Sequence, residues 1–383
     1  MASMWSTYFL PRDLHPAAWW VWALGLSVAA SRTTNPLLLL TAIAVASAVV
    51  VARRSEAPWA MSFRMYLLLG AWIVVMRVVF RVVFGGGEGG TIILHLPEIP
   101  LPVWAAGIRL FGDVSAESVL AGFYDGLRLA TMVICLGAAN ALANPKRLLK
   151  SMPSALYEVG TAVVVALSVF PQLSESVVRV RRARRLRGDG TGRFHLLRSI
   201  IIPVLEDALD RSLQLAASMD SRGYGRAGAA SRRERWATGS LMVAGLSGLC
   251  VGAYNLLDGT ANRTLVVAIL LMSTAVALAG FGVAGRRVQR VRYRPDRWHA
   301  PEVVVALSGV SVAVVLFLSS ELDPATLDPS LVTVTWPTVA WLPLAGVLLG
   351  LIPAFLTPLP EPPYASFDDE APPAAPIDLG AAA

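Results

Sequence analysis

Apolar residues run in blocks along this chain, separated by short polar or arginine-rich stretches, and the block lengths set the fold class. The first two blocks, Ala17 to Ala30 and Pro36 to Val51, flank the polar turn Ser31 to Asn35 and read as a hairpin. Both fall short of the ~20 residues that a membrane-spanning helix needs. Met65 to Phe84 and Ala121 to Ala141 are long enough. Ala155 to Phe170 is apolar but ends at Pro171, so it is expected to lie along or beneath the membrane without fully crossing. Four further blocks follow, Gly239 to Leu257, Leu265 to Val283, Val303 to Ser319 and Thr338 to Leu356.

Between the two groups of blocks the pattern changes from continuous to one-faced. Pro171 leads into a segment in which Leu173, Val177, Val180 and Ala183 recur at spacings of 3 and 4; after Pro203, Leu205, Leu209, Leu213 and Ala216 do the same. That is the period of an amphipathic helix. Each segment closes on an Arg-Gly pair, Arg187-Gly188 and Arg222-Gly223. Glycine just past the last periodic residue is a helix stop, and a cation in the last turn suits the negative end of the helix dipole. One such pair is an ordinary helix end. Two pairs in one basic segment predict two rods that each hold a guanidinium at the tip, a group that binds carboxylates in a fixed fork. Arg184 and Arg226 lie beside the tips, so Arg184, Arg187, Gly188, Arg222, Gly223 and Arg226 are the candidate partner-docking residues.

Composition agrees with a membrane protein: 55% of the 383 residues are hydrophobic, 15% are charged and mean hydropathy is +0.59. Soluble domains carry about 25% charged residues. The net charge of +7 is concentrated: Gln172 to Thr238 holds 14 arginines against 7 acidic residues. The loop Arg286 to Arg297 has six arginines, whereas Glu321 to Pro337 has no Lys or Arg. By the positive-inside rule this predicts about eight spans with both termini cytoplasmic, in a cell-membrane protein of all-α class. The expected organisation is an N-terminal membrane domain over 1–150, a cytoplasmic region of long helices over 151–238, further spans over 239–357, and a disordered Pro/Ala/acidic tail over 358–383.

Smaller features complete the expectation. Ser115 followed by Glu117 marks a helix start. Pro97, Pro100 and Pro102 exclude a regular helix after Gly85 to Gly90, leaving a surface-lying or re-entrant apolar loop. Arg77 and Arg81, one turn apart near the end of an apolar block, are expected to snorkel to the interface. The glycine-rich run is no phosphate loop, since no Gly-Lys-Ser/Thr follows it. Cys135 and Cys250 lie in separate apolar stretches, and the four histidines lack ligand spacing. No catalytic residue, metal site or cofactor is expected. The last four apolar blocks hold no central charge, which argues against a stand-alone proton-coupled carrier.

The chain resembles the transmembrane T component of energy-coupling factor (ECF) transporters, the family that includes the Q-type permease of cobalt uptake systems. The resemblance rests on Leu14-His15-Pro16, Asn35-Pro36, Gly126 to Val133 and Asn144 to Pro153, and above all on Phe170 to Gly188 and Leu215 to Gly225. Where that family usually has Ala-Arg-Gly, this chain has Leu186 and Ser221 in place of the alanine, and Trp19-Trp20 stands where a lysine commonly follows the His-Pro pair. The resemblance implies a non-catalytic lever. Its tips, Arg187 and Arg222, would dock on two cytoplasmic ATPase subunits, and its apolar faces would move a separate substrate-binding membrane subunit that carries a vitamin or a metal ion. Membrane lipid is the other expected partner. The competing reading of the basic block is a membrane anchor for anionic lipid or nucleic acid; no nucleic acid is expected if the resemblance holds.

Overall fold

A computed structural model describes residues 11–55, 60–84, 90–97, 99–100, 109–151, 156–187, 193–223, 232–259, 261–287, 298–330 and 336–360. It is all-α apart from two short strand pairs. The helices are α1 (Pro16–Ser31), α2 (Pro36–Arg53), α3 (Phe63–Phe84), α4 (Ala116–Leu142), α5 (Pro145–Lys150), α6 (Tyr157–Arg187), α7 (Arg193–Ser221), α8 (Arg232–Asp258), α9 (Arg263–Arg287), α10 (Ala300–Leu322), α11 (Pro324–Leu327), α12 (Trp341–Leu349) and α13 (Ile352–Leu356). Among the described residues seven helices contain a segment long and apolar enough to cross a membrane, in α2, α3, α4, α6, α8, α9 and α10; Trp341–Leu356 is apolar but shorter. The chain is a multi-pass helical membrane protein.

Backbone contacts divide it into two compact units, one of residues 1–148 with 296–383, the other of residues 149–295. In the first unit the helix starts follow from local chemistry. His15 Nδ1 accepts from Ala17 N at 3.2 Å and Asn35 Oδ1 from Leu37 N at 3.0 Å, each just ahead of a proline at the first helical position. Such caps satisfy a donor that the helix leaves unpaired, and proline there removes another. Ser115 caps α4 as its spacing predicts, accepting from Ser118 N at 3.2 Å.

The core of this unit joins the two ends of the sequence. Trp22, Leu26, Val45, Val49 and Ala138 pack with Val305, Val312, Leu316 and Val347, all at most 3% exposed. At the crossing of α1 and α10 a Cβ on Gly25 would overlap the backbone of Gly309, and a Cβ on Gly309 the backbone of Trp22. Trp22 Nε1 donates to Gly350 O at 3.0 Å. Asn35 Nδ2 donates to the carbonyls of Thr326 at 2.9 Å and Thr338 at 2.8 Å, and Arg53 reaches those of Pro353 at 3.3 Å and Ala354 at 2.7 Å. Arg12 meets the buried Glu302 at 3.1 Å.

Four expectations change. The segment after Gly90 pairs into strands: β1 (Ile92–His95) runs antiparallel to β4 (Asp113–Ser115), and β2 (Ile99–Pro100) to β3 (Arg109–Leu110). The prolines do prevent a helix, but two-to-four-residue strands are too short to show a period. Arg77 and Arg81, although half-exposed, converge on Asp125 of α4 at 4.0 and 3.6 Å, so they form an inter-helix ion pair rather than only snorkelling. Pro171 does not end a segment: α6 continues through it, and Val159–Ala183 is one stretch of sufficient length to cross. Pro203 likewise lies inside α7. Proline removes one N–H from a helix and crowds the preceding turn, yet a long helix with strong flanking turns tolerates it. The tail beyond 360 and most of the Arg286–Arg297 loop lie outside the described residues.

Candidate partner-docking site

The second unit is built from α6, α7 and the hairpin of α8 and α9. Close approach in the hairpin depends on small residues, since a Cβ on Gly245 or Gly252 would strike Ala277 or Leu270. The two arms α6 and α7 end where the Arg-Gly pairs stand. The last helical residue of α6 is Arg187, and α7 ends at Ser221 with Arg222 next. At the α7 end the amide of Gly223 donates to Asp220 O at 2.9 Å and that of Arg222 to Met219 O at 3.2 Å. Gly223 has φ +74° with no atom within 4 Å of where a Cβ would stand. The left-handed conformation alone therefore favours glycine there. Arg222 is exposed. Arg184 and Arg187 fall on the last turn of α6, whereas Gly188 and Arg226 lie outside the described residues. The two arginines stand at the ends of separate arms.

The arms touch through a polar contact that the apolar periodicity did not indicate. Ser176, buried at 3% exposure, donates through Oγ to Asp207 Oδ2 at 2.7 Å. Arg211 Nε donates to Asp207 Oδ1 at 3.0 Å, and its other nitrogen reaches Gln172 Oε1 at 3.4 Å. The Arg211 guanidinium, then the Ser176 hydroxyl, hold the Asp207 carboxyl below the usual aspartate range. An acid with a depressed pKa stabilises the fold above its ordinary titration range and loses that contribution only as pH falls through the lowered value. The sequence signal was available: Asp207 and Arg211 stand one helical turn apart on one face.

This contact shows which face of α7 meets α6. Around the contact Val204, Asp207, Ala208 and Arg211 are half-buried, whereas Leu205, Leu209 and Leu213 are 58%, 57% and 68% exposed. On α6 the predicted face holds in part: Leu173, Val177 and Val180 are half-buried around Ser176, and Ala183 is exposed. Among the described residues no group of three or more His, Cys, Asp or Glu could hold a metal ion.

The model of one protein family, described as CbiQ, cobalt transport protein, matches residues 9–233, a span that includes both arms and both Arg-Gly pairs. The chain belongs to the CbiQ family. A relative, the energy-coupling factor transporter transmembrane protein EcfT of Lactococcus lactis subsp. cremoris (strain MG1363), is 22% identical over 168 residues. That match takes in 40% of this chain and 58% of the relative. Thus α9 to α13, and nearly all of α8, lie beyond the family match.

Proposed function

We propose that this CbiQ-family chain is the transmembrane coupling subunit of an ECF-type importer. In this reading it transmits ATP-driven motion from two cytoplasmic ATPases to a separate membrane subunit that binds a vitamin or a metal ion. The observation that carries it is the pair of long arms, each ending at an Arg-Gly pair inside the family-matched region. A helix end holds a guanidinium in a fixed place, and an always-charged planar fork suits an acidic groove. The exposed stripe Leu205, Leu209, Leu213 supplies an apolar face for the substrate-binding subunit or for lipid. ATP hydrolysis belongs to the partners, and the chain itself is the non-catalytic lever.

The same reading puts the arm tips and both termini in the cytoplasm. Six arginines fall between Arg179 and Arg187, and each would be costly in hydrocarbon. The tip half of α6 then stays at or beyond the cytoplasmic interface, and the extra helices past residue 233 belong to the membrane scaffold.

Purification of the tagged full-length chain from its native membranes, with mass spectrometry of what accompanies it, tests the proposal. Two Walker-type ATPase chains, or two copies of one, together with a small polytopic membrane protein are expected. Recovery of nucleic acid or anionic lipid as the stoichiometric companion, with no ATPase, would contradict it.

A further inference from the structure

The arms of the second unit meet at one buried polar point. Between Thr161 and Arg187 the only buried residue among those described is Ser176, and its hydroxyl is spent on Asp207. Both carboxylate oxygens of Asp207 are engaged, one from each arm. Leu173, Val177 and Val180 on α6 and Val204 and Ala208 on α7 are half-buried around this point; towards the tips Arg181, Arg182, Leu209 and Leu213 are exposed. Pro171 precedes Ser176, and Pro203 precedes Asp207, by about one turn. Each arm therefore lacks one backbone hydrogen bond just before the contact. Beyond it, eleven residues lead to Arg187 and fifteen to Arg222, about 16 Å and about 22 Å of helix at 1.5 Å per residue.

We propose that Asp207 is a positioning residue: held by Ser176 across the interface and by Arg211 on its own arm, it pins α6 against α7 and so sets the separation of Arg187 and Arg222, with Pro171 and Pro203 as the points where each arm bends when the pin is released. The geometry favours a pin over a broad interface. A hydrophobic seam would hold the rods along their length, and the leucines that could form one face outward. A compact charge-assisted cluster of Gln172, Ser176, Asp207 and Arg211 fixes the crossing, and a small rotation there becomes a larger displacement at tips this far away. The inference rests on reading the arm ends as docking tips, but its test needs no ATPase.

The test uses the full-length chain with Cys135→Ala and Cys250→Ala, spin-labelled at Leu186→Cys and Ser221→Cys beside the two tips. Pulsed electron paramagnetic resonance then gives the tip-to-tip distance distribution. One narrow distribution is expected for the parent. Asp207→Ala should at least double its width, Ser176→Ala should widen it less, and Ser176→Thr, which keeps the hydroxyl donor, should leave it narrow. Asp210→Ala, on an exposed position of the same arm, is the control and should change nothing. Adding Pro171→Ala and Pro203→Ala to the Asp207→Ala chain should narrow the distribution again. If Asp207→Ala does not fold, the Ser176 pair decides. An unchanged width in the folded Asp207→Ala or Ser176→Ala protein overturns the pin, and equal broadening in Ser176→Thr and Ser176→Ala overturns the role of the hydroxyl. A failure of the arms to bind ATPases would leave these distances as they are, so the pin and the transport reading fall separately.

Discussion

The two units of this chain are stabilised in different ways. In the first, residues far apart in sequence interlock: α1 and α2 are buried against α10 and α12, glycines meet at a helix crossing, and side-chain donors of Asn35 and Arg53 hold carbonyls of the short helices α11 and α13. In the second, Val266 is the sole buried hydrophobic side chain among the described residues, and large apolar residues along α6 to α9 stand exposed. A membrane protein can leave apolar surface to lipid, but a pair of arms that among the described residues meet around one small polar cluster does not stabilise itself by burial. The first unit has the character of a scaffold, and in the proposed reading the arms α6 and α7 of the second are the moving part, their apolar faces left to membrane or partner. Substitutions in the first unit should therefore change whether the protein folds, and substitutions in the second what it does once folded.

The largest expected effect tests the scaffold. Gly309→Val places a side chain inside the backbone of α1 and should destabilise the first unit by about 3 kcal/mol or more, since overpacking a fitted core costs ~1–3 kcal/mol and backbone cannot give way as a side chain can. Loss of yield and a lowered unfolding temperature in detergent would show it; near-parental stability would mean that the crossing is loose.

Next is the ion pair that ties the N-terminal segment to α10. Arg12→Ala leaves Glu302, whose side chain is 3% exposed, without its cation. Removing one partner of a buried pair costs ~3–5 kcal/mol, and the partly exposed Arg12 places this case at about 3 kcal/mol or below. Replacing both, Arg12→Met with Glu302→Leu, should recover much of the loss. The same thermal measurement applies, and an equal loss in single and double variants would remove the ion pair as the cause.

The smallest effect belongs to the arms. Gly223→Ala meets no neighbour, so its cost is the left-handed backbone alone, about 1–2 kcal/mol, confined to the end of α7. Global unfolding should be unmoved while partner binding weakens through a misplaced Arg222. A lowered unfolding temperature comparable with that of Gly309→Val would erase the contrast between the units.

How much of this was legible depended on the range of the interaction. Helix starts at Pro36 and Ala116 and stops at Arg187 and Ser221 were readable because caps, first-turn prolines and terminal glycines act within a few residues. The apolar stripe of α7 was readable as a stripe, but periodicity does not say which face meets a neighbour. The neighbouring face packs instead, because Asp207 and Ser176 find one another across the arms. Pro171 and Pro203 misled because a local preference yields to a long helix. The bond from Arg12 to Glu302 had no local signal at all: it joins positions 290 residues apart.

In the proposed coupling role the two tip arginines, rather than the summed charge of the arms, engage the ATPases. Pull-down of the ATPase subunits by the full-length chain should fall sharply in Arg187→Ala or Arg222→Ala and vanish in the double variant, since truncating one member of a desolvated charged pair costs ~2–5 kcal/mol. Lysine at either tip should restore little, lacking the planar fork. The control removes equal charge elsewhere, Arg181→Ala with Arg232→Ala, with membrane yield checked for every variant. The account predicts that the control pair retains binding where the tip pair loses it. Equal losses from both pairs would make the contact diffuse electrostatics and contradict the lever.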